Sequence, residues 1–176
     1  MRSLMTFRFN LALVLGVILS SFTTLAISQS LTDYAENRLV DAVLRGQSLG
    51  APATLYVGLA TAASSCETGS VTEVSTSGTA YSRASVTSNL TNWAGTQSAG
   101  STTASSGTGG QTSNNSTITI GSTATASWGT VTHFFLADAS TAGNIWICQA
   151  LTTSKTINNG DPAPTFSAGA LTVTFQ

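Results

Sequence analysis

The spacing of apolar residues divides the chain into a short helical region and a longer β-rich region. Apolar positions recur every three or four residues over 31–47 and every second residue from Ala53 onward. The first spacing is typical of one face of an α-helix and the second of one face of a strand. Ser30 or Thr32 can cap the helix, and Gly46 ends it.

We therefore expect a helix over 31–47 with a single apolar stripe. This stripe either packs against the sheet of its own domain or docks onto a partner subunit. The candidate assembly contacts on it are Leu31, Tyr34, Leu39 and Val43.

The region 53–176 consists of short alternating stretches separated by turn residues. The strongest strand patterns lie at 55–59, 130–139 and 144–151, with a hairpin loop at 140–143. Weaker patterns predict one or two strands within 74–86 and a closing strand at 171–175. This organisation predicts a mainly β fold, an antiparallel β-sandwich or barrel-like (jelly-roll-like) domain with one N-terminal α-helix. We expect a single domain over 31–176.

A Ser- and Gly-rich stretch interrupts the strands at 95–115. Its sequence has no aromatic and no charged residue, so it can bury little surface, and we expect a flexible surface loop. Loops at the end of a β domain can also carry binding contacts. The candidate loop contacts are Trp93, Gln97 and Gln111.

Residues 1–30 differ from the rest of the chain. Arg2 and Arg8 precede an apolar run at 11–19, and small residues follow as far as Ser28. This order is typical of a secretory signal peptide that is cleaved after Ser28. A membrane anchor and an extension produced by a start assigned too far upstream remain alternatives. We expect a membrane contact only if this segment is retained.

The composition leaves few charged residues that could take part in catalysis or bind nucleic acid. Charged residues make up 7% of the chain, compared with roughly 25% in an ordinary soluble domain. The scattered cations do not form a phosphate-binding surface, so we expect no nucleic-acid partner. His133 and Asp138 would face opposite sides of an uninterrupted strand, and no G-x-S-x-G motif is present. We predict a non-enzymatic protein with no cofactor and no metal.

Cys66 and Cys148 are the two cysteines of the chain. In an oxidising compartment they can form a disulfide, whereas two free thiols are expected if the protein matures in the cytosol. The disulfide is therefore a possible one, and it depends on where the chain folds.

Several strings of the sequence, in this order, resemble a family of small virion proteins from tailed phages and prophages, which are described as tail-fibre-like. The strings include LTDYAENRLVDAVLRGQ, WGTVTHFFLADASTAGNIW and ALTTSKTINNGD, and the resemblance covers residues 31–176. It implies a virion structural protein, associated with the tail or tail fibre or decorating the capsid. It also implies contacts with other virion proteins, a homo-oligomer and assembly in the host cytoplasm. The family supplies no catalytic motif.

The segment 1–30 departs from this family, whose members begin close to the LTDYAE helix. A secreted or periplasmic location therefore stays open beside the virion. The alternative function is that of an exported surface or matrix adhesin, which would bind glycan or protein through its Ser/Gly-rich loop.

Overall fold

The protein is seen in a computed structural model that describes residues 31–95, 104–105 and 110–175. The signal-like segment 1–30, Gln97 and most of the predicted loop lie outside this range. The described elements are helix α1 (Asp33–Leu44) and strands β1 (Thr54–Ser65), β2 (Ser70–Glu73), β3 (Ala84–Thr87), β4 (Trp93–Ala94), β5 (Gln111–Asn114), β6 (Ile118–Thr119), β7 (Gly129–Ala137), β8 (Ile145–Ile157), β9 (Thr165–Phe166) and β10 (Thr172–Thr174).

Helix α1 is shorter than the predicted 31–47 because a threonine fixes its start. Thr32 is the N-cap, and its Oγ1 accepts a hydrogen bond from the amide of Ala35 at 3.4 Å. The preceding residue, Leu31, is extended and forms an antiparallel bridge with Ile147 of β8. Gly46, with φ +66°, directly follows the C-cap residue and ends the helix as expected. Within the described residues, no helix is both long and apolar enough to cross a membrane.

The central feature is an antiparallel five-stranded sheet. Its strands follow the order β2–β1–β7–β8, and β3 pairs with β1 beyond the end of β2. Strands β7 and β8 form the hairpin that the sequence predicts around 140–143. Strands β1 and β7 thus occupy the middle of the sheet, where both of their faces can be covered.

Two small sheets cover one face of this large sheet. One has the order β10–β5–β4, and the other pairs β6 with β9. Phe134 on β7 meets Phe166 on β9 edge to face, with ring centroids 5.9 Å apart, and Val173 on β10 is fully buried in the same core. Over the residues that the structure describes, the sheets do not close into a barrel. The predicted fold class, mainly β and antiparallel with one N-terminal helix, is confirmed in its sandwich form.

A second, smaller core lies on the opposite face of the large sheet. It contains Ala60, Phe135, Ala137 and Cys148, all with no exposed surface. The ring of Phe135 lies directly over Gly58 on the neighbouring strand. A Cβ atom at position 58 would lie 2.2 Å from the Cζ atom of Phe135, so only glycine allows this packing.

Besides the bounds of α1, the structure differs from the sequence prediction in two further segments. The predicted loop at 95–115 is wrong at its C-terminal end, because Gln111–Asn114 form strand β5 between β4 and β10. This strand has no apolar alternation. Asn114 is 1% exposed, and its side chain accepts a hydrogen bond from the amide of Leu171 at 2.9 Å and donates to the carbonyl of Ser167, also at 2.9 Å.

The second difference concerns 74–86, where only the last residues belong to a strand. Residues 74–83 are irregular, and Gly78 and Ala80 adopt positive φ values of +70° and +60°. Such angles are incompatible with an extended strand.

We predict that the Gly58→Ala substitution destabilises the fold. The added methyl group must displace the Phe135 ring, and overpacking of this kind costs about 1–3 kcal/mol. The free energy of unfolding, measured in urea, should fall by that amount. Phe135→Leu alone should also destabilise, but the double variant should lose less than the sum of the two single losses, because the smaller side chain makes room. Strictly additive losses would contradict the packing of this ring on Gly58.

Candidate functional site

The N-terminal half of α1 is bound tightly to the large sheet. Oγ1 of Thr32 donates a hydrogen bond to the carbonyl of Ile145 at 2.5 Å, so the hydroxyl that caps the helix also ties it to β8. Tyr34 meets Trp146 edge to face with a centroid distance of 5.4 Å, and Ala35 is 3% exposed. This half of the helix packs within the domain.

The C-terminal half of α1 projects apolar side chains into solvent. Leu39 is 46% exposed and Val43 is 70% exposed. Their neighbours Val40 and Leu44 are similarly open, at 49% and 77%. We call these residues, Leu39, Val40, Val43 and Leu44, the exposed α1 face. An apolar cluster of this kind on a soluble domain is typical of an interaction site.

An apolar groove continues from this face toward the sheet. It has a volume of about 350 Å³ and runs between α1, the segment that follows it and β8. Leu39 belongs both to the groove and to the exposed α1 face. The other groove residues include Leu31, Leu49, Pro52, Trp146 and Phe175.

The candidate assembly contacts therefore fall into two groups. Leu31 and Tyr34 are half-buried and pack on the core of their own domain. Leu39 and Val43 extend away from it. The sequence periodicity placed all of them on one stripe, but it carried no signal for the point at which the helix leaves the sheet.

Two of the candidate loop contacts line a second cavity. Trp93 on β4 and Gln111 on β5 border a space of about 640 Å³, which is also lined by Leu90, Val173 and Phe175. The indole N–H of Trp93 is buried and has no hydrogen-bond partner within the described residues. Gln97, the remaining candidate loop contact, lies outside the described range.

An ion pair on the second face of the large sheet was not anticipated from the sequence. The side chain of Arg83 is 5% exposed, and its Nη2 lies 2.7 Å from Oε2 of Glu73. The guanidinium also covers the Phe135 ring, 4.9 Å from its centroid, and donates to the carbonyls of Ala139 and Ala142. Its hydrogen bond with Glu73 raises the pKa of Arg83. These contacts hold the guanidinium between the Glu73 carboxylate, the Phe135 ring and the β7–β8 turn.

Cys66 and Cys148 are joined by a disulfide, with their Cα atoms 5.1 Å apart. Cys66 follows the end of β1 and Cys148 lies in the middle of β8. The bond therefore connects the turn between β1 and β2 to the far strand of the same sheet. Cys148 has no exposed surface.

Within the described residues, His133 and Asp138 bond to different partners. Nδ1 of His133 lies 2.8 Å from Oγ1 of its neighbour Thr132. Asp138 instead accepts hydrogen bonds from the backbone and side chain of Asn144 in the β7–β8 turn. An acidic group at the start of α1, formed by Asp33, Glu36 and Glu67, is largely exposed. The positive end of the helix dipole favours carboxylates there without any ion.

A family model described as Podophage GP4 fiber I protein gp80 matches residues 30–174 of the chain. No curated protein matches the sequence. The family match covers almost the whole described fold, from the bridge at Leu31 to the last strand.

The fold and this match place the chain among phage tail-fibre-like structural proteins. More narrowly, it belongs to the family of the podophage GP4 fibre I protein gp80. It is accordingly a bacteriophage virion structural protein, and its partners are other virion proteins.

We predict that reduction of the disulfide lowers the thermal stability of the protein. The bond joins residues separated by 82 positions, and a crosslink over a loop of this length contributes roughly 4–5 kcal/mol on the chain-entropy account. Thermal unfolding with and without a reductant measures the effect. The Cys66→Ala/Cys148→Ala variant should unfold, with or without reductant, at about the temperature of the reduced natural protein. An equal response of this variant and the natural protein to the reductant would contradict the prediction.

Proposed function

We propose that this protein acts as a non-enzymatic assembly module of the phage fibre, and that copies of the chain join through the exposed α1 face. The observation that carries the proposal is the exposure of Leu39, Val40, Val43 and Leu44, which lies between 46% and 77%. A helix needs its tertiary contacts for stability, and the N-terminal half of α1 already has them. The projecting half is free to pack against another subunit.

The energetics favour apolar contact over charge pairing. Burial of partly exposed Leu and Val side chains contributes roughly 1 kcal/mol each, and the neighbouring groove offers further apolar surface. The exposed α1 face has one ion pair beside it, between Asp41 and Arg45 at 2.7 Å, and such exposed pairs contribute little. Association through this face should therefore depend only weakly on salt.

A homo-oligomer would bury the exposed α1 face of every copy. Every copy carries the same apolar surface, so two or more copies can bury it around a symmetry axis. The groove beside Leu49 and Pro52 extends the surface that a second copy can cover. In this proposal the chain is part of the tail fibre rather than a capsid decoration.

A second function, binding of a glycan or a protein at the loop, is favoured by the cavity between Trp93 and Gln111. Its aromatic wall suits the apolar face of a sugar ring, and the exposed Gln111 side chain can hydrogen-bond the sugar hydroxyl groups. This function is compatible with the assembly role because Trp93 and Gln111 do not belong to the exposed α1 face. Loss of binding to host-cell polysaccharide in a Trp93→Ala variant tests it.

We predict that Val43→Asp separates the oligomer into single copies. The introduced carboxylate would be buried without a partner at the interface, which costs several kcal/mol. Sedimentation velocity of the full chain over a range of concentrations measures the mass. The far-ultraviolet circular dichroism of the variant should match that of the natural protein, because Val43 is exposed within the domain.

Thr76→Asp is the matched control, because it adds the same charge at an exposed position of the irregular segment 74–83, outside α1. It should retain the mass of the natural protein. A natural protein that stays monomeric throughout the concentration range would overturn the proposal, as would a Val43→Asp variant of unchanged mass.

A further inference from the structure

The turn between β1 and β2, which spans 66–69, is held against the large sheet by the disulfide. Cys66 is its first residue, and Cys148 lies on β8. Cys66 also packs on the second core, to which Cys148 belongs. The β1–β2 turn therefore covers part of this core, and its covalent attachment to β8 is one that a change in redox conditions can break.

Few other contacts attach the β1–β2 turn to its surroundings. The amide of Asp33, the first residue of α1, donates a hydrogen bond to the carbonyl of Glu67 at 2.7 Å. Gly69 lies beside β8, because a Cβ atom there would be 3.4 Å from Cβ of Ile145. In the described part of the chain, a single backbone hydrogen bond thus joins the turn to the helix.

Three carboxylates oppose this contact. Glu67 on the turn meets Asp33 and Glu36 in the first turn of α1, and one carboxylate oxygen of each lies within 4.8 Å of the others. The positive end of the helix dipole favours the two acidic residues of α1 itself. The third carboxylate comes from a different segment and is repelled by both of them. The ion pairs of the described residues lie elsewhere, at Arg45 and Arg83.

We propose that the Cys66–Cys148 disulfide is a redox latch, which holds the β1–β2 turn against α1 when oxidised and releases it when reduced. The released turn moves away from the start of α1 because the three carboxylates repel one another, and Cys148 becomes open to solvent. The helix itself stays on the sheet, since the amide of Thr32 is bonded to the carbonyl of Trp146 at 3.1 Å and not to the turn.

The latch closes by thiol–disulfide exchange with a small-molecule disulfide, which is the oxidant. The thiolate of Cys66, which is partly exposed, attacks that disulfide and releases one small thiolate. The thiolate of Cys148 then attacks Sγ of Cys66 and releases the second. The two released thiolates take up the two protons that the protein thiols lose, and two small thiols result. The cytosol drives this exchange toward the protein thiols, and the medium outside the cell drives it toward the disulfide.

The test compares two neighbouring backbone amides of the full chain by hydrogen exchange, followed by nuclear magnetic resonance. The Asp33 amide is bonded to the turn and the Thr32 amide to β8. In the reduced protein the Asp33 amide should exchange about tenfold faster or more than in the oxidised protein, because the turn that protects it has opened. The Thr32 amide should stay within about twofold of its rate in the oxidised protein.

Equal acceleration of the two amides would overturn the proposal, because the helix would then leave the sheet or the whole domain would unfold. An Asp33 amide that exchanges at the same rate in both redox states would overturn it as well.

A charge variant tests whether the carboxylates open the latch. Glu67→Gln removes one of the three charges and keeps the backbone carbonyl that accepts from Asp33. In the reduced variant the Asp33 amide should exchange about threefold more slowly than in the reduced natural protein. Asp41→Asn is the matched control, because it removes the same charge from another position of α1, and it should leave this rate unchanged. An unchanged rate in Glu67→Gln, or equal slowing in both variants, would contradict the proposal.

Discussion

The contact between the Phe135 ring and Gly58 fixes the packing on the face of the large sheet that lies opposite the two small sheets. The absence of a side chain at position 58 leaves room for the ring, which fills the second core. The same ring is covered by the guanidinium of Arg83, which is neutralised by Glu73 at 2.7 Å. One small residue in the central strand therefore determines the position of an aromatic ring, a buried cation and the segment that carries Glu73.

The large sheet then positions the helix whose exposed face we propose for assembly. The carbonyl of Ile145 on strand β8 accepts a hydrogen bond from the N-cap residue Thr32. Trp146, the next residue of β8, packs against the ring of Tyr34. These contacts end after the first turns of α1, so the remaining turns project from the domain with their apolar side chains uncovered. A domain built in this way separates a buried core from a helix end with exposed apolar side chains. The disulfide at Cys148 ties the same strand to the β1–β2 turn.

The sequence was informative where a regular period coincided with burial. The helix and the β7–β8 hairpin follow directly from spacings of three to four and of two residues. Strand β5 could not be predicted, because its residues are Gln, Thr, Ser and Asn and its stability comes from the buried side chain of Asn114. The pairing of Arg83 with Glu73 depends on the fold, and no local spacing signals it. Likewise, periodicity identified Leu39 and Val43 but not the point where the helix leaves the sheet.

Family membership and the geometry of α1 independently support a structural role in the phage fibre. The match over residues 30–174 establishes a phage fibre protein, and the exposed α1 face suggests how its copies meet. Electron cryomicroscopy of intact particles tests this account most directly, by locating α1 within the assembled fibre. We expect Leu39, Val43 and Leu44 to be buried against another copy of the chain. A fibre in which these side chains remain in solvent, with copies joined through other surfaces, would contradict it.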